Sequence, residues 1–201
     1  MKSYKEILQY LEKDKILTKA IENLEADIHP EFDIDIYLSL LNSIVSQQLS
    51  TKVVRIIWNR FTDLFVDGYP KATDLLATEH NLLRGIGLSN NKANYLKNVA
   101  EFSLDNTISF DYLQLKNDDE IIEYLTQIKG VGKWTVQMIL MFPMDRQNVF
   151  PIDDLGIQNV MKKLYQLDFE KKELKQKLNE LAENWHPYKT LASKYIWKIG
   201  D

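Results

Sequence analysis

Gly130-Val131-Gly132-Lys133-Trp134-Thr135, with Asp154 placed 22 residues after Gly132, holds the residue types best suited to chemistry in this 201-residue chain. A turn built on two glycines can bend tightly between helices, because glycine accepts positive φ and brings no side chain. The first amides of the following helix lack partners within it and form an outward-facing anion site, which the helix dipole favours. Lys129 and Lys133 add positive charge beside that site, and Val131 is placed to plug into the core. Asp153 and Asp154 follow Pro151 at the head of the next helical segment. Aspartate caps helices well, so one of the pair is expected to cap and the other is left for chemistry.

The elements that must position these residues read as nearly all α-helical. Apolar side chains recur at helical spacing at Ile7, Leu8 and Leu11, at Leu38, Leu41, Val45 and Leu49, and at Val53, Ile57, Phe61 and Leu64. Ser50 stands between the last two as a candidate N-cap. Asn91 to Phe102 carries Ala93, Leu96, Val99 and Ala100 on one face. Asp118 to Leu125 precedes the glycine turn and Lys133 to Phe142 follows it; residues 153–164, 170–182 and 188–198 complete the set. No stretch alternates long enough for a convincing strand. His29-Pro30-Glu31-Phe32 and Asp67-Gly68-Tyr69-Pro70 mark loops. The charge-rich stretch from Lys162 to Lys177 reads as a solvated helix face. A second glycine turn, Leu83-Arg84-Gly85-Ile86-Gly87-Leu88, echoes Ile128-Lys129-Gly130-Val131-Gly132-Lys133.

Composition narrows the options. Hydrophobic residues make up 45% of the chain, enough for a packed core. The sequence contains no cysteine, which excludes disulfides, thiol chemistry, cysteine-ligated zinc and an iron–sulfur cluster. His29, His80 and His186 are scattered and do not suggest a metal cluster. The first residues lack the apolar core of a secretory signal, and the longest apolar run, Met138 to Pro143, is far short of the ~20 residues a bilayer needs. A soluble, intracellular protein without membrane contact is expected. The net charge of −4 argues against broad electrostatic binding of nucleic acid. It leaves room for a protein that grips a few phosphates through backbone amides.

The string hydrophobic-Lys-Gly-Val-Gly-Lys-Trp-Thr resembles the helix-hairpin-helix of the base-excision DNA glycosylase superfamily. Within it the chain is most similar to the 3-methyladenine DNA glycosylase II (alkylation-repair) family. Ile44-Val45-Ser46-Gln47-Gln48-Leu49-Ser50 resembles the family's helix–turn that enters DNA. Leu83 to Ala100, with Gly85, Gly87, Lys92, Ala93 and Tyr95, resembles its middle segment. Val149-Phe150-Pro151-Ile152-Asp153-Asp154 resembles the segment of its catalytic aspartate. The likeness runs from about residue 36 to 199. It implies an all-α fold of two lobes with a cleft between them. Residues 1–35 would pack on the C-terminal lobe, 36–152 would form the central lobe with the hairpin at about 120–143, and 153–201 the C-terminal lobe.

The resemblance also distributes roles. Asp154 matches the catalytic position, leaving Asp153 as the expected cap or supporting residue. Gly130, Gly132 and Lys133 match the phosphate grip. Gln48 matches the side chain that fills the gap left by a flipped nucleotide, with Leu49 as its alternative. Trp134, Met138 and Trp197 match base-pocket positions, Trp197 as the stacking residue. Met138 stands where some members have tyrosine, which bears on lesion preference. Trp58 and Trp185 are expected in the core. Relatives that cut the strand through a Schiff base carry lysine at position 134, so Trp134 implies a hydrolase without lyase activity. The backbone carbonyls of Thr126, Ile128 and Val131 match positions that hold a sodium or potassium ion in this superfamily; no other cofactor is expected.

One carboxylate suffices if the leaving base is already cationic. Cleaving an N-glycosidic bond builds positive charge on the sugar, which a carboxylate stabilises while orienting or deprotonating the attacking water. An N3- or N7-alkylated purine departs without a general acid. This agrees with what the resemblance implies, excision of bases such as 3-methyladenine and 7-methylguanine from double-stranded DNA, by a monomer in the cytoplasm or, in a eukaryote, the nucleus. Two alternatives stay open: a non-catalytic hairpin module that binds DNA, and a glycosylase for oxidised or deaminated bases.

Overall fold

The computed structural model describes residues 4–24 and 35–200, and every regular element among them is helical. In chain order the α-helices are α1 Tyr4–Leu11, α2 Lys15–Glu22, α3 Ile36–Ser46, α4 Thr51–Thr62, α5 Ala72–Ala77, α6 His80–Gly85, α7 Asn90–Asp105, α8 Phe110–Leu113, α9 Asp118–Leu125, α10 Lys133–Met141, α11 Leu155–Leu164, α12 Lys171–Glu183 and α13 Lys189–Gly200. The long helices match the expected ones closely. The short ones, α5, α6 and α8, span too few turns for a 3.6-residue period to stand out in sequence, and α2 was not among the expected helices. The loop expected at His29-Pro30-Glu31-Phe32 lies outside the described residues.

The chain divides into two units: Met1–Glu31 with Asp145–Asp201, and Phe32–Met144. The second, continuous unit is organised around α10, whose residues Thr135 to Met141 are all buried. A helix apolar on all sides belongs at the centre of its neighbours. α7 turns Ala93, Leu96, Val99 and Ala100 inward, and α3 does the same with Leu40, Leu41, Ile44 and Val45. The expected stripe along α4 holds only in part. Ile57 and Phe61 are buried, but Val53 is 39% exposed, and Leu49 lies beyond α3 at 38%. Asp35 caps α3 through the amide of Leu38, and Asn117 and Glu120 form a reciprocal capping box on α9. Ser50 occupies the N-cap position of α4 without a side-chain bond to the helix.

The first unit is built around α13, buried from Thr190 to Ile196. Ile7, Leu11 and Leu17 from α1 and α2 join Ile157, Met161, Leu178 and Trp185 in one core. Asp14 sits at its centre. It caps α2 through the amide of Leu17 at 3.0 Å and accepts from the Tyr165 hydroxyl at 2.6 Å and Trp185 Nε1 at 2.9 Å. A buried carboxylate is tolerated only when its oxygens are satisfied in this way. Residues 145–152 belong to this unit, whereas the boundary expected from sequence fell after 152. Thr190 ties them to α13: its hydroxyl accepts from Val149 N at 3.0 Å and donates to Arg146 O at 2.5 Å. Phe150 packs edge-on against Trp185. The stretch from Lys162 to Lys177 is not one helix face; it covers the end of α11, a connection and the start of α12, with Leu174 buried.

Candidate functional site

The hairpin between α9 and α10 begins at Thr126, the C-cap of α9, and tightens through a bond from Val131 N to Ile128 O at 2.9 Å. Val131 is 4% exposed, plugged into the core as expected. Gly130 has φ +102, and a Cβ there would lie 2.1 Å from the Tyr95 ring. Gly132 departs from the expectation that both glycines use positive φ. Its φ is −93, and it is the N-cap of α10. What it contributes is the absence of a capping side chain, which leaves the head of α10 open beside the exposed Lys129 and Lys133.

The earlier glycine turn clarifies this arrangement. Its positive-φ residue is Gly87, at +109, and its N-cap is Ser89. In both turns the positive-φ glycine stands two residues before the N-cap, with a buried plug between them, Leu88 in one and Val131 in the other. The structural register therefore pairs Gly87 with Gly130, two residues away from the alignment the sequence invites. The turns then differ at the N-cap itself. Ser89 accepts from Lys92 N at 3.2 Å and closes its own helix, while Gly132 leaves the head of α10 without a capping side chain.

Asp154 is the N-cap of α11, which corrects the assignment of capping to Asp153. Its Oδ1 accepts from Ile157 N at 2.8 Å and from Trp197 Nε1 at 2.9 Å. A turn closed by Asp154 N to Pro151 O, and the bond from Gln158 Nε2 to Ile152 O, set the backbone beneath it. Gly156 leaves space on this face: a Cβ there would come within 3.0 Å of Asp154 Oδ1 and 3.6 Å of the Trp197 ring. Asp153 instead turns outward, 2.5 Å from Lys175 Nζ. The side chain that caps is thus also the one held by the indole, because α13 delivers Trp197 to the N-terminus of α11.

Gln48 is exposed at the apex of a tight turn after α3, with φ +58. Leu49 beside it is also exposed, and its amide donates to Ser46 O at 3.2 Å. Two neighbours hold this turn. Lys92 Nζ donates to Val45 O at 2.8 Å and Gln47 O at 2.7 Å. Gln47 Nε2 reaches the hairpin, at Gly130 O (3.3 Å) and Thr135 Oγ1 (3.2 Å). Burial pulls the Lys92 ammonium below the ordinary lysine value. Trp134 and Met138, four residues apart, share one face of α10; Trp134 is half-buried and Met138 is 9% exposed. Trp185 is fully buried, while Trp58 is half-buried against Phe61. No group of three or more His, Cys, Asp or Glu among the described residues is placed to hold a metal ion, and no described helix is long and apolar enough to cross a membrane.

Residues 41–184 match the profile of the HhH-GPD superfamily base excision DNA repair proteins. The chain belongs to this superfamily. It is 35% identical over 166 residues to DNA-3-methyladenine glycosylase 1 of Schizosaccharomyces pombe, covering 82% of this chain and 72% of that protein. The structure of S. pombe 3-methyladenine DNA glycosylase in complex with abasic DNA superposes with a TM-score of 0.87 at 30% identity, over 96% of this chain and 95% of that one. A longer relative from Bacillus subtilis is 33% identical over 172 residues, and the chain spans only 59% of its length.

The expected HhH-GPD residues fall into two sets, one in each unit. The structure brings Asp154 and Trp197 into contact and separates Asp153 from them. It joins the Gln47-Gln48 turn to the glycine hairpin through Gln47. The sequence placed Lys92 and Thr135 inside the motif segments without giving either a role, and it did not single out Gly156. Lys92 and Thr135 look like ordinary helix residues, and only their tertiary partners reveal them. Gly156 carried a signal, a glycine inside the first turn of a helix where it costs stability.

Proposed function

We propose that this chain is a monofunctional DNA glycosylase that flips alkylated purines, such as 3-methyladenine and 7-methylguanine, out of double-stranded DNA and excises them by hydrolysis. The observation that carries the reading is Asp154, a carboxylate fixed at a helix N-terminus by an indole and a backbone amide. Such a group stabilises the positive charge that grows on the sugar and orients the attacking water. The helix dipole favours the negative charge at that place. Gly132 and Lys133 grip a backbone phosphate, Gln48 fills the gap in the stack, and Trp134, Met138 and Trp197 serve the extruded base. The names of the relatives, DNA-3-methyladenine glycosylases, support this choice of substrate.

Trp134 supplies no amine at the position where a Schiff-base lysine would stand, so excision leaves an intact abasic strand. The carbonyls of Thr126, Ile128 and Val131 lie along the hairpin turn; a neutral oxygen set of this kind suits a sodium or potassium ion, which would stiffen the turn without taking part in bond cleavage. The enzyme acts as a monomer, in the cytoplasm or nucleus.

The test is a panel of duplexes carrying methylated, oxidised or deaminated bases, incubated with the protein and developed with and without alkali. Release of 3-methyladenine and 7-methylguanine with strand breaks only after alkali is expected. Strand breaks without alkali, or a product trapped by borohydride, would overturn the monofunctional reading. No release from any duplex would leave a non-catalytic DNA-binding module, and release confined to oxidised or deaminated bases would move the substrate class.

A further inference from the structure

We propose that Lys92 is a positioning residue for DNA insertion by Gln48, acting by selecting the backbone turn on which Gln48 is mounted. This rests on the reading of Gln48 as the inserting side chain.

Residues Ser46 to Leu49 form a type II turn. Gln47, at φ −48 and ψ 124, and Gln48, at φ +58, are its central residues, closed by Leu49 N to Ser46 O. The second central place of such a turn belongs to glycine or asparagine, since other residues are strained at positive φ. A glutamine there has an unstrained alternative, the type I turn, in which the same residue has negative φ. The two forms differ by a flip of the peptide joining Gln47 to Gln48. The carbonyl of that peptide is Gln47 O, the atom Lys92 Nζ holds at 2.7 Å. The other bond of Lys92, to Val45 O at 2.8 Å, satisfies a carbonyl in the last turn of α3. One ammonium thus spans the end of the helix and the peptide that defines the turn. Flipping that peptide would take its carbonyl from a half-buried cation.

The Gln47 side chain ties the same turn to the hairpin, through Gly130 O and Thr135 Oγ1. The exposed Gln48 is therefore mounted on a strained backbone held by two independent sets of bonds, and strain of this sort persists only where the surroundings over-determine it. Preorganising a side chain that must enter the stack removes an ordering cost from binding. Without the lysine the turn relaxes, and Gln48 leaves the direction in which it enters DNA.

The experiment measures binding of the full chain to a duplex with a tetrahydrofuran abasic site, by fluorescence anisotropy. Wild type, Lys92→Met, Gln48→Ala and the double variant are compared, with thermal melting of each. Lys92→Met and Gln48→Ala are each expected to weaken binding about tenfold, and the double variant no further than Gln48→Ala alone, since groups acting as one unit are not additive. Lys92→Arg, which keeps donors for both carbonyls, is expected to bind within about threefold of wild type. Losses that multiply in the double variant, or a folded Lys92→Met that binds like wild type, would overturn the proposal. If Lys92→Met does not fold, Lys92→Gln, too short to bridge both carbonyls, is read against the same two outcomes. Base release is not the readout, so a wild-type protein that binds this duplex yet excises nothing sinks the proposed function alone. Failure of Gln48→Ala to affect binding removes the wedge and this inference with it.

Discussion

Trp197 Nε1 and the amide of Ile157 donate to the same oxygen of Asp154, Oδ1, at 2.9 and 2.8 Å. Two donors on one atom fix the rotation of the carboxylate. The direction it presents is thus decided partly by a side chain 43 residues away on α13. Under the proposed function this bond gives Trp197 a second task beside stacking on a base, that of orienting the Asp154 carboxylate.

Asp154→Asn separates capping from chemistry. Asparagine caps a helix about as well as aspartate, so the melting temperature is expected to change little. Base release is expected to fall by about 10²–10⁴-fold, the usual worth of a group acting on the proton or charge in the transition state. Asp153→Asn is the control. It breaks only an exposed pair with Lys175, worth about 0–1 kcal/mol, and is expected to keep near-normal release. An inactive Asp153→Asn beside an active Asp154→Asn would exchange the two neighbours.

Trp197→Phe keeps an aromatic ring and deletes the indole donor. If the indole orients Asp154, kcat is expected to drop about tenfold with KM nearly unchanged, the mark of an interaction used in the transition state. A rise in KM with kcat intact would reduce Trp197 to a binding surface.

Gly156→Ala sets stability against activity. Alanine in a helix is favoured over glycine by about 1 kcal/mol, so the protein is expected to melt at the same temperature or slightly higher. The added Cβ would crowd Asp154 Oδ1 at 3.0 Å, and single-turnover release is expected to slow. A variant as fast as wild type would show that the carboxylate tolerates a neighbour.

The two hairpin glycines are expected to fail differently. Gly130→Ala places a Cβ 2.1 Å from the Tyr95 ring at φ +102, so its loss is in folding, by at least about 1–3 kcal/mol in denaturant titration. At Gly132 no atom lies within 4 Å of an added Cβ, and φ is −93. Gly132→Ala is therefore expected to fold normally and, if the open amides bind phosphate as proposed, to lose DNA affinity, because the methyl group would crowd that place. Equal stability losses in both variants would contradict this division.

Much of the site was legible because it rests on local rules. Glycines at a helix-to-helix turn, a buried valine between them and an aspartate ahead of a helix are all visible at short range. Which of Asp153 and Asp154 caps α11 was not, because either residue caps well and their partners, Lys175 on one side and Trp197 on the other, are distant in sequence. Lys92 stood out within the resembling middle segment, but what it holds was hidden for a related reason. A lysine three residues into an amphipathic helix reads as a solvated charge until its tertiary carbonyl partners are known. The exposure of Val53 was equally unreadable: its spacing suits a core stripe, and only the packing around α4 decides which positions of that stripe are covered.

The bonds from Tyr165 and Trp185 to Asp14 also set a timetable. They join residues 151 and 171 positions apart. At ~5–20 residues per second of synthesis, Asp14 waits roughly ten to thirty seconds for its tryptophan to be made. During that interval α1 and α2, eight residues each, are too short to hold their form alone. The continuous unit from Phe32 to Met144 emerges whole in the meantime. α1 and α2 are translated well before α13, and their buried leucines lack part of their cover until α13 leaves the ribosome.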